Sequence, residues 1–338
     1  MKTTITVLAL SALALPALAL DKMPQESGFS GYVNLGAGTG SIESNFLARL
    51  SGIDLDLGDD TIDDFGSPDD ESITTPAINL NLNYTFSNLK TQLSLGNDLA
   101  DFLQFDRSTL LAVRHDFDTV GRIQLAFLSS AFPQTEVWAD PYLIGEKRKD
   151  TERSSSGGRI TWDKIFGSDF ELKLTSREIE IDDEDSGEGL GLSAAERKLL
   201  DREGDNVRAE LGYLVNVGNG RHFFRPSIAY IDRDLDGDAM SQDGYEVGLS
   251  WLFNASKSFR WANNVAYSSL EGDKKNPIFD EVNDADQIVF ASQMFFPGLF
   301  GLEKWEPNAS FIWGDSDSDI DFNDAAGWMI NVGIGRTF

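Results

Sequence analysis

The stretch INLNLNYTF, residues 78–86, decides the fold, because its apolar side chains alternate strictly with polar ones. A period of two places successive side chains on opposite faces of an extended chain, whereas a helix repeats every 3.6 residues. The same alternation recurs in residues 207–217, 245–253 and 259–267. Segments of about ten residues are long for a soluble sheet and suit strands that cross a membrane at a tilt.

Fourteen segments of this kind follow one another, and the connections between them alternate between short and long. The candidate strands are residues 28–38, 76–86, 89–97, 107–117, 120–129, 157–166, 169–181, 205–217, 222–233, 242–253, 258–270, 285–296, 304–314 and 326–338. Short periplasmic turns that alternate with long outside loops are the rule in outer-membrane barrels. The sequence therefore predicts an all-β fold, a single antiparallel transmembrane β-barrel of about 14 strands, with 12 or 16 as alternatives.

The composition excludes several classes of function. The chain has 28 Lys and Arg residues against 56 Asp and Glu residues, which gives a formal net charge of −28 at pH 7. A nucleic-acid partner is not expected, because phosphate contacts need a basic surface. Without cysteine, the chain has no disulfide framework and no thiolate metal site. A secreted β-sandwich is disfavoured, since the charges concentrate in the connections rather than in the strands.

The start of the chain has the pattern of a secretory signal. Lys2 precedes an apolar run at residues 5–15, and an Ala-Leu-Ala cleavage site follows at residues 17–19. The run is too short to form a membrane-spanning helix. We therefore expect a signal peptide at residues 1–19 and an outer-membrane barrel at residues 20–338. The expected location is the outer membrane of a Gram-negative bacterium, reached through the periplasm.

The end of the chain resembles the C-terminal assembly signal of bacterial outer-membrane barrels, because the last candidate strand ends in Phe338. Arg336 lies on the same face, at a position where that signal usually has an aliphatic or aromatic residue. Its long side chain can reach lipid phosphates while its stem stays in an apolar layer. The expected partners are the barrel-assembly machinery, outer-membrane lipid and lipopolysaccharide. The oligomeric state stays open.

Three segments carry a family resemblance: GFSGYV at residues 28–33, VWADPY at residues 137–142 and LSAAERKLLDR at residues 192–202. In these segments the chain resembles an uncharacterised family of porin-like outer-membrane β-barrel proteins from marine gammaproteobacteria, catalogued as a domain of unknown function. The resemblance covers nearly the whole mature chain. It implies an outer-membrane barrel and no established activity.

One face of the predicted strands is apolar and suits lipid, so the opposite, polar face is expected to line a hydrated lumen. Its charged candidates are Lys90, Arg114, Arg122, Arg159, Lys173, Arg177, Arg208, Arg225, Arg260, Glu171, Glu210 and Glu246. We expect a porin-like passive channel for small hydrophilic solutes or ions, whose basic rows set its selectivity. The alternative is a plugged structural or surface barrel, in which the acids neutralise the basic rows and the acidic loops bind divalent cations or partners.

The long loops carry most of the negative charge, and one run has the spacing of a calcium loop. The EF-hand pattern is reproduced by Asp232, Asp234, Asp236, Asp238 and Asp243. Strands rather than helices flank this run, and its twelfth position holds Asp instead of the usual Glu. We therefore expect the loops to form either a solvated acidic surface or sites for Ca²⁺. No other cofactor is expected.

Two further loop features stand out. Ser193 and Glu196 form a capping box that predicts a short helix over residues 194–202. This helix would cover the barrel mouth, enter the lumen or lie on the outside. The mixed-charge run at residues 146–153 either meets lipopolysaccharide phosphates or stays solvated.

An enzyme is not expected. Hydrolytic chemistry in an outer-membrane barrel needs a nucleophile or acid beside a histidine near the outer edge. The two histidines of the chain are His115 and His222. The strand pattern places His115 on the lipid face and His222 beside a periplasmic turn, far from the outside loops. The G-x-S-x-G motif is also absent from the sequence.

Overall fold

A computed structural model describes residues 23–49, 60–101, 106–130, 135–302 and 304–338, without the side chains of residues 98–101, 106 and 107. The predicted signal peptide at residues 1–19 lies outside the described residues. No helix in the described part of the chain is long and apolar enough to cross a membrane.

Fourteen long antiparallel strands form one closed barrel, which confirms the predicted fold and strand number. The strands are β1 Gly28–Ser44, β2 Asp70–Phe86, β3 Thr91–Asp101, β4 Asp106–Asp116, β5 Arg122–Ser130, β6 Asp150–Asp163, β7 Phe170–Ile181, β8 Gly204–Tyr213, β9 His222–Leu235, β10 Gln242–Ser256, β11 Phe259–Gly272, β12 Ala285–Phe295, β13 Glu306–Ser318 and β14 Ala325–Thr337. Each strand pairs with its neighbour in the chain, and short turns join the strands at the end where both chain termini of the barrel lie.

The barrel closes where β1 pairs with β14. The pairing runs from Tyr32 opposite Thr337 to Ser44 opposite Ala325. It ends in two reciprocal backbone hydrogen bonds, since Gly31 N donates to Phe338 O at 2.9 Å and Phe338 N donates to Gly31 O at 3.0 Å. Lipid offers no hydrogen bonds to an open strand edge, so this seam satisfies a requirement of the membrane.

At the extracellular end of the barrel, β1 and β2 extend further than the sequence predicts. β1 extends to Ser44 rather than residue 38, and β2 begins at Asp70 rather than residue 76. The added segments are rich in Gly, Ser and Thr, so the apolar alternation is weak there. Their inward positions hold Ile42 and Ile73, which are buried together beneath the loops.

In its described residues 135–149, the long connection between β5 and β6 contains one short strand. This short strand, Thr135–Trp138, pairs with the beginning of β6 and with the short strand Leu47–Arg49. It belongs to the loops and does not change the barrel strand number. A second small hairpin, Lys275–Asn276 with Glu281–Val282, lies between β11 and β12.

The outer face of the barrel is apolar, as the alternation predicts. Large apolar side chains on nearly every strand are exposed there and would face lipid; they include Leu35, Ile78, Leu95, Leu111, Phe127, Ile160, Leu174, Leu211, Val247, Val265, Met294 and Val332. Near the short turns, rings stack on the same face: His222 lies 4.6 Å from Phe253, and Phe224 lies 6.1 Å from Trp251, between centroids. Such a ring cluster suits the aromatic girdle at a membrane interface.

Deleting Phe338 should impair assembly of the barrel. The deletion removes both terminal hydrogen bonds of the seam together with a ring whose Cζ atom lies 2.8 Å from where a Cβ on Gly31 would be. The heat-modifiable gel band of the refolded chain measures assembly. Phe338→Ala keeps the backbone bonds and should assemble better than the deletion. A deletion variant that assembles normally would show that the seam does not depend on Phe338.

Candidate functional site

The inward faces of the strands divide the barrel interior into two half-walls of different chemistry. The charged half-wall consists of β4 to β10, and the amide half-wall consists of β11 to β14 with β1 to β3. Both follow from the strand period, because every second side chain points into the barrel. A solute in the interior would therefore meet fixed charges on one side and neutral amides on the other.

Basic side chains outnumber acidic ones on the charged half-wall. Among the described side chains, the inward charged residues are Arg114, Arg122, Arg153, Arg159, Lys173, Arg177, Arg208, Arg225 and Arg233, with Asp116, Asp163, Glu171, Glu210 and Glu246. Except for Lys90, every charged residue predicted to line the lumen lies on an inward face, and Arg260 does so on β11. The sequence period was sufficient to place these residues.

Arg225 is the centre of a buried ion-pair network on β7 to β9, near the short turns. Its side chain is 1% exposed, and its Nη2 atom donates to Glu171 Oε1 and to Glu210 Oε1, each at 2.6 Å. Lys173 Nζ lies 3.7 Å from Glu210 Oε1. These pairs join strands that are one or two positions apart, so they neutralise charge along the wall.

Two neighbouring groups extend this network. Arg208 donates to Glu210 Oε2 and to Glu246 Oε1, each at 2.7 Å. Arg122 and Asp163 form a buried pair on β5 and β6, in which Arg122 Nε donates to Asp163 Oδ1 at 3.1 Å. Asp163, Glu171, Glu210 and Glu246 thus each have a basic partner, as the plugged alternative requires, while the basic residues remain in excess.

Two arginines of the half-wall bind hydroxyl groups. Arg159 Nε donates to Thr175 Oγ1 at 3.0 Å, and Arg177 Nη2 donates to Ser155 Oγ. Both arginines lie at mid-height on β6 and β7. They place guanidinium groups on the wall above the Arg225 network.

Lys90 does not lie on the lumen wall, which corrects the assignment made from the sequence. It occupies the turn between β2 and β3 with a φ of 48°, and its exposed ammonium group pairs with Asp118 of the next turn. Lys90 immediately precedes Thr91, the first residue of β3, so the period of two does not apply to its side chain. Lys90 is therefore a residue of the periplasmic rim.

The amide half-wall is nearly free of charge. Its inward amides are Asn34, Asn79, Asn81, Asn83, Gln92, Asn264, Gln287, Gln293, Asn308 and Asn331. Its inward charges, among the described side chains, are Glu71 near the loops and the pair that Arg260 forms with Glu306 at 2.5 Å. Asn308 Nδ2 donates to Asn34 Oδ1 at 2.8 Å, so part of the wall is satisfied internally.

Several buried polar atoms of the interior have no hydrogen-bond partner within the described part of the protein. They include Nε and Nη1 of Arg225, Oε2 of Glu171, both amide atoms of Asn264 and both amide atoms of Gln293. Buried polar groups in native proteins are hydrogen-bonded in the great majority of cases, to protein or to water. The missing hydrogen bonds of these atoms would have to come from water or from a polar solute in the interior.

A folded apolar cluster of loop residues, here called the loop cap, lies at the extracellular end of the barrel. Its buried members are Tyr142, Leu200, Ile320 and Phe322. Phe46, Ile62, Phe65, Leu190, Leu192, Met240, Ile278 and Phe279 pack against them. These residues come from six of the seven long connections. The sequence showed no sign of the cap, because its members are scattered singly through loops without any period.

Phe322 is the central ring of the loop cap. It is 1% exposed, and its ring centroid lies 5.2 Å from that of Tyr142, 5.7 Å from that of Phe46 and 5.8 Å from that of Phe279. Its carbonyl oxygen accepts a hydrogen bond from Asn45 Nδ2 at 3.1 Å. The connection between β13 and β14 is thus bound to three other loops.

Backbone donors of the loops converge on Asp140. Its Oδ1 atom accepts from Tyr142 N at 3.0 Å and from Gly187 N at 2.9 Å, and its Oδ2 atom accepts from Gly189 N at 3.0 Å. Arg148 donates to Asn45 O at 3.1 Å. These bonds satisfy polar groups that would otherwise be stranded in an apolar cluster.

Arg202 forms a buried ion pair within the loop after β7 and also binds this loop to the loop after β5. Arg202 Nε donates to Glu184 Oε2 at 2.8 Å, and Arg202 Nη2 donates to Trp138 O at 2.8 Å and to Ala139 O at 3.1 Å. Burial raises the pKa of Glu184, and Arg202 opposes this shift by favouring the carboxylate. Protonation of Glu184 therefore makes the stability of the folded cap depend on pH.

The predicted helix lies on the outside of the loop cap. It is a single turn, α1 Ala194–Lys198, and its capping box between Ser193 and Glu196 is present as predicted. Its five residues are exposed, while Leu200 beyond it is buried in the cap. The run at residues 146–153 is largely occupied by internal contacts. Within it, Arg148 lies over the Trp138 ring at 4.5 Å.

The aspartates with calcium-loop spacing do not wrap around a common point. Asp232 and Asp234 lie on the outer face of β9, and Asp232 stands opposite Asp243 of β10. Asp238 pairs with Lys274. Across the described residues, no three His, Cys, Asp or Glu side chains are grouped as a metal site would require. The extended backbone explains the difference from an EF-hand loop, and Ca²⁺ binding stays a prediction.

Both histidines lie where the sequence placed them. His115 projects from the outer face of β4, where its Nδ1 atom lies 2.9 Å from Thr91 Oγ1. His222 belongs to the ring cluster near the short turns. Neither residue is near the loop cap.

Solved structures with a similar fold include outer-membrane channels, at 9–10% sequence identity. A FadL homologue from Pseudomonas aeruginosa has a TM-score of 0.45, with 91% of this chain and 90% of that chain covered. The channel DcaP of Acinetobacter baumannii has 0.42, with 91% and 97% covered. An anion-selective porin from Comamonas acidovorans has 0.40, with 93% and 100% covered.

A family model described as a protein of unknown function, DUF2860, matches residues 28–336. No curated protein matches the chain significantly. The matched range begins at the first residue of β1 and ends two residues before the last residue of the chain, so the family is defined over the whole barrel with its loops.

Removing Arg202 should loosen the loop cap more than neutralising Glu184. Arg202→Met leaves a buried carboxylate without its cation, which costs about 3–5 kcal/mol. Glu184→Gln keeps an oxygen that can accept from Arg202 Nε. Limited proteolysis of the folded barrel, with fragments assigned by mass, measures the loosening. Equal protease resistance of the two variants would show that the pair does not hold the cap.

The same pair predicts the direction of the pH dependence. Because the pKa of Glu184 is raised in the folded cap, this group favours the folded cap at low pH. The contribution is complete below the ordinary carboxyl pKa and is lost as the pH rises through the raised value. The protease resistance of the wild type should therefore fall with rising pH more steeply than that of Glu184→Gln. Parallel pH profiles would remove Glu184 as the titrating group.

Proposed function

The chain belongs to DUF2860, a family of proteins of unknown function, and we propose that it is a porin-like channel of the Gram-negative outer membrane. It would pass small hydrophilic solutes or ions through the barrel interior. The observation that carries the proposal is the set of buried polar atoms on the inward faces that have no partner in the described part of the protein.

The chemistry of the interior supports a hydrated path over a dry plug. Buried ion pairs are no more stabilising than apolar residues of the same volume, because desolvation offsets their attraction. A plug would therefore be stable with apolar side chains, and any polar group in it would need a complete set of partners. The Arg225 network and the amides of Asn264 and Gln293 instead leave buried polar atoms without protein partners, which water or a solute that enters the interior would satisfy.

The loop cap gives this channel a closed entrance. Six connections meet around Phe322 at the extracellular end, and their rings are packed edge to face or stacked. A hydrophilic solute cannot cross such an apolar cluster without displacing it. We therefore propose that the structure represents the closed form of the channel, and that displacement of the cap opens it.

The cap also favours a second candidate function. A barrel whose loops fold into a stable outer layer can act as a plugged surface protein, with its acidic loops presented to divalent cations or partners. In that case the cap would never open, and the interior would serve only to hold the barrel together. The two candidates differ in whether the interior conducts once the cap is disturbed.

Phe322→Ala should convert a rarely conducting barrel into a frequently conducting one. Removing a buried aromatic ring costs about 3–5 kcal/mol of packing free energy, which here falls on the cap rather than on the barrel wall. Single-channel recording in a planar bilayer measures the open probability. Phe166→Ala, at an exposed ring of a short turn, is the matched control and should behave as the wild type.

Silence of both the wild type and Phe322→Ala, with correctly folded barrels on heat-modifiable gels, would contradict the channel. That outcome would favour the plugged surface barrel.

Neutralising two wall arginines should shift the ion selectivity toward cations. Arg159→Gln with Arg177→Gln removes two of the basic side chains that exceed the acids on the charged half-wall, which weakens attraction for anions. The reversal potential under a salt gradient measures the shift. Arg221→Gln, in a short turn outside the wall, is the matched control. An unchanged reversal potential in the double variant would remove these arginines from the conduction path.

A further inference from the structure

Four polar residues form a continuous patch on the amide half-wall, here called the amide patch. They are Asn264 of β11, Gln293 of β12, Ser310 of β13 and Asn331 of β14. The register sets Gln293 opposite Ser310 and Ser310 opposite Asn331. Asn264 lies two positions along β11 from the partner of Gln293. One inward surface therefore carries side-chain groups from four neighbouring strands.

The amides of this patch are buried and largely unsatisfied. Gln293 is 2% exposed and Asn264 is 8% exposed. Both the nitrogen and the oxygen of each amide lack a hydrogen-bond partner within the described part of the protein. Asn331 Nδ2 donates to Ser310 Oγ at 3.4 Å, whereas Asn331 Oδ1 has no such partner. The inward surface of the patch thus holds several buried donors and acceptors that have no partner in the described part of the protein.

The backbone of β1 holds one of these amides in place. A Cβ on Gly38 would lie 1.9 Å from Asn331 Oδ1. A side chain at position 38 would displace this amide, so the glycine permits Asn331 to lie against β1. The arrangement of the patch is therefore built into the strand sequence.

The charges beside the patch are already neutralised. Arg260 and Glu306, each four residues closer to the short turns than Asn264 and Ser310 on the same strands, bind each other at 2.5 Å. Ile312 and Met329 border the patch on the side of the loops. A charged ligand would find no opposite charge at the patch, so the patch favours a neutral ligand.

We propose that the amide patch binds the hydroxyl groups of a neutral polyhydroxylated solute, of the chemical class of small sugars. This proposal deepens the proposed channel function and rests on it. A hydroxyl group donates and accepts hydrogen bonds, and so does an amide. Adjacent hydroxyls of a sugar can therefore satisfy the amides of Asn264 and Gln293 together. Aliphatic Ile312 and Met329 complement the less polar faces of a sugar ring.

Binding is tested by saturation-transfer NMR with maltotriose and the folded barrel in detergent, which detects weak binding without requiring conduction. The background is Phe322→Ala, so that the closed cap does not limit access. The double variant Asn264→Leu with Gln293→Met should reduce the affinity for maltotriose about tenfold, because it removes the hydrogen-bonding groups of two side chains. Both substitutions retain approximate volume and remove unsatisfied groups, so the barrel should still fold.

Two controls make the result specific. Asn83→Leu removes an amide of the same half-wall that already bonds to Asn81 at 2.5 Å, and it should leave the affinity unchanged. Triethylene glycol dimethyl ether accepts hydrogen bonds but donates none, so it should show no difference between the parent and the double variant. Should the double variant fail to fold, Gln293→Met alone should still lower the affinity.

Equal affinity of the parent and the patch variants for maltotriose would overturn the proposal, and so would absence of maltotriose binding to the parent. A patch-dependent signal from the ether would also overturn it, because the amide donors would then suffice. Planar-bilayer recordings of the same preparations test the channel separately from the sugar site. Silent bilayers with patch-dependent binding would reject the channel and keep the sugar site, whereas conduction without binding would do the reverse.

Discussion

The seam between β1 and β14 is the constraint on which the rest of the molecule depends. Lipid cannot hydrogen-bond to an exposed strand edge, so the sheet must close on itself before it is stable in a membrane. The reciprocal bonds between Gly31 and Phe338 complete this closure at the short-turn end. Closure gives each strand one face toward lipid and one toward the interior, and so converts a period of two in the sequence into a wall with two chemistries.

The interior of the barrel and the loop cap differ in chemistry. The inward residues form ion pairs along the wall around Arg225 and leave buried amides such as that of Gln293 without a partner in the described part of the protein. The loops instead bury aromatic rings around Phe322 and satisfy their backbone through Asp140. Under the proposed function, a hydrated interior beneath the apolar loop cap would be a channel in its closed form. Packing of the cap, rather than charge on the wall, would then control when the interior communicates with the outside.

Much of the barrel could be predicted from the sequence, because lipid imposes a regular pattern. The structure places Arg177 and Glu246 on inward faces, since the period of two holds throughout a paired strand, and their role in lining a conducting lumen stays a prediction. Lys90 was misassigned because the period was continued into a turn, where the backbone has a φ of 48°. The loop cap could not be predicted, since Phe46, Tyr142 and Phe322 meet only through long-range packing. The amide patch needed the register of four strands, which composition does not supply.

The hydrated interior is tested most directly by the chemical accessibility of a single inward position. The chain has no cysteine, so Ser227→Cys on the inward face of β9 and Ile228→Cys on its lipid face form a matched pair. The rate of reaction with a charged methanethiosulfonate reagent is measured in lipid vesicles. A hydrated lumen predicts reaction at position 227 and none at position 228. An inert Ser227→Cys in a folded barrel would show a dry, plugged interior and contradict the channel.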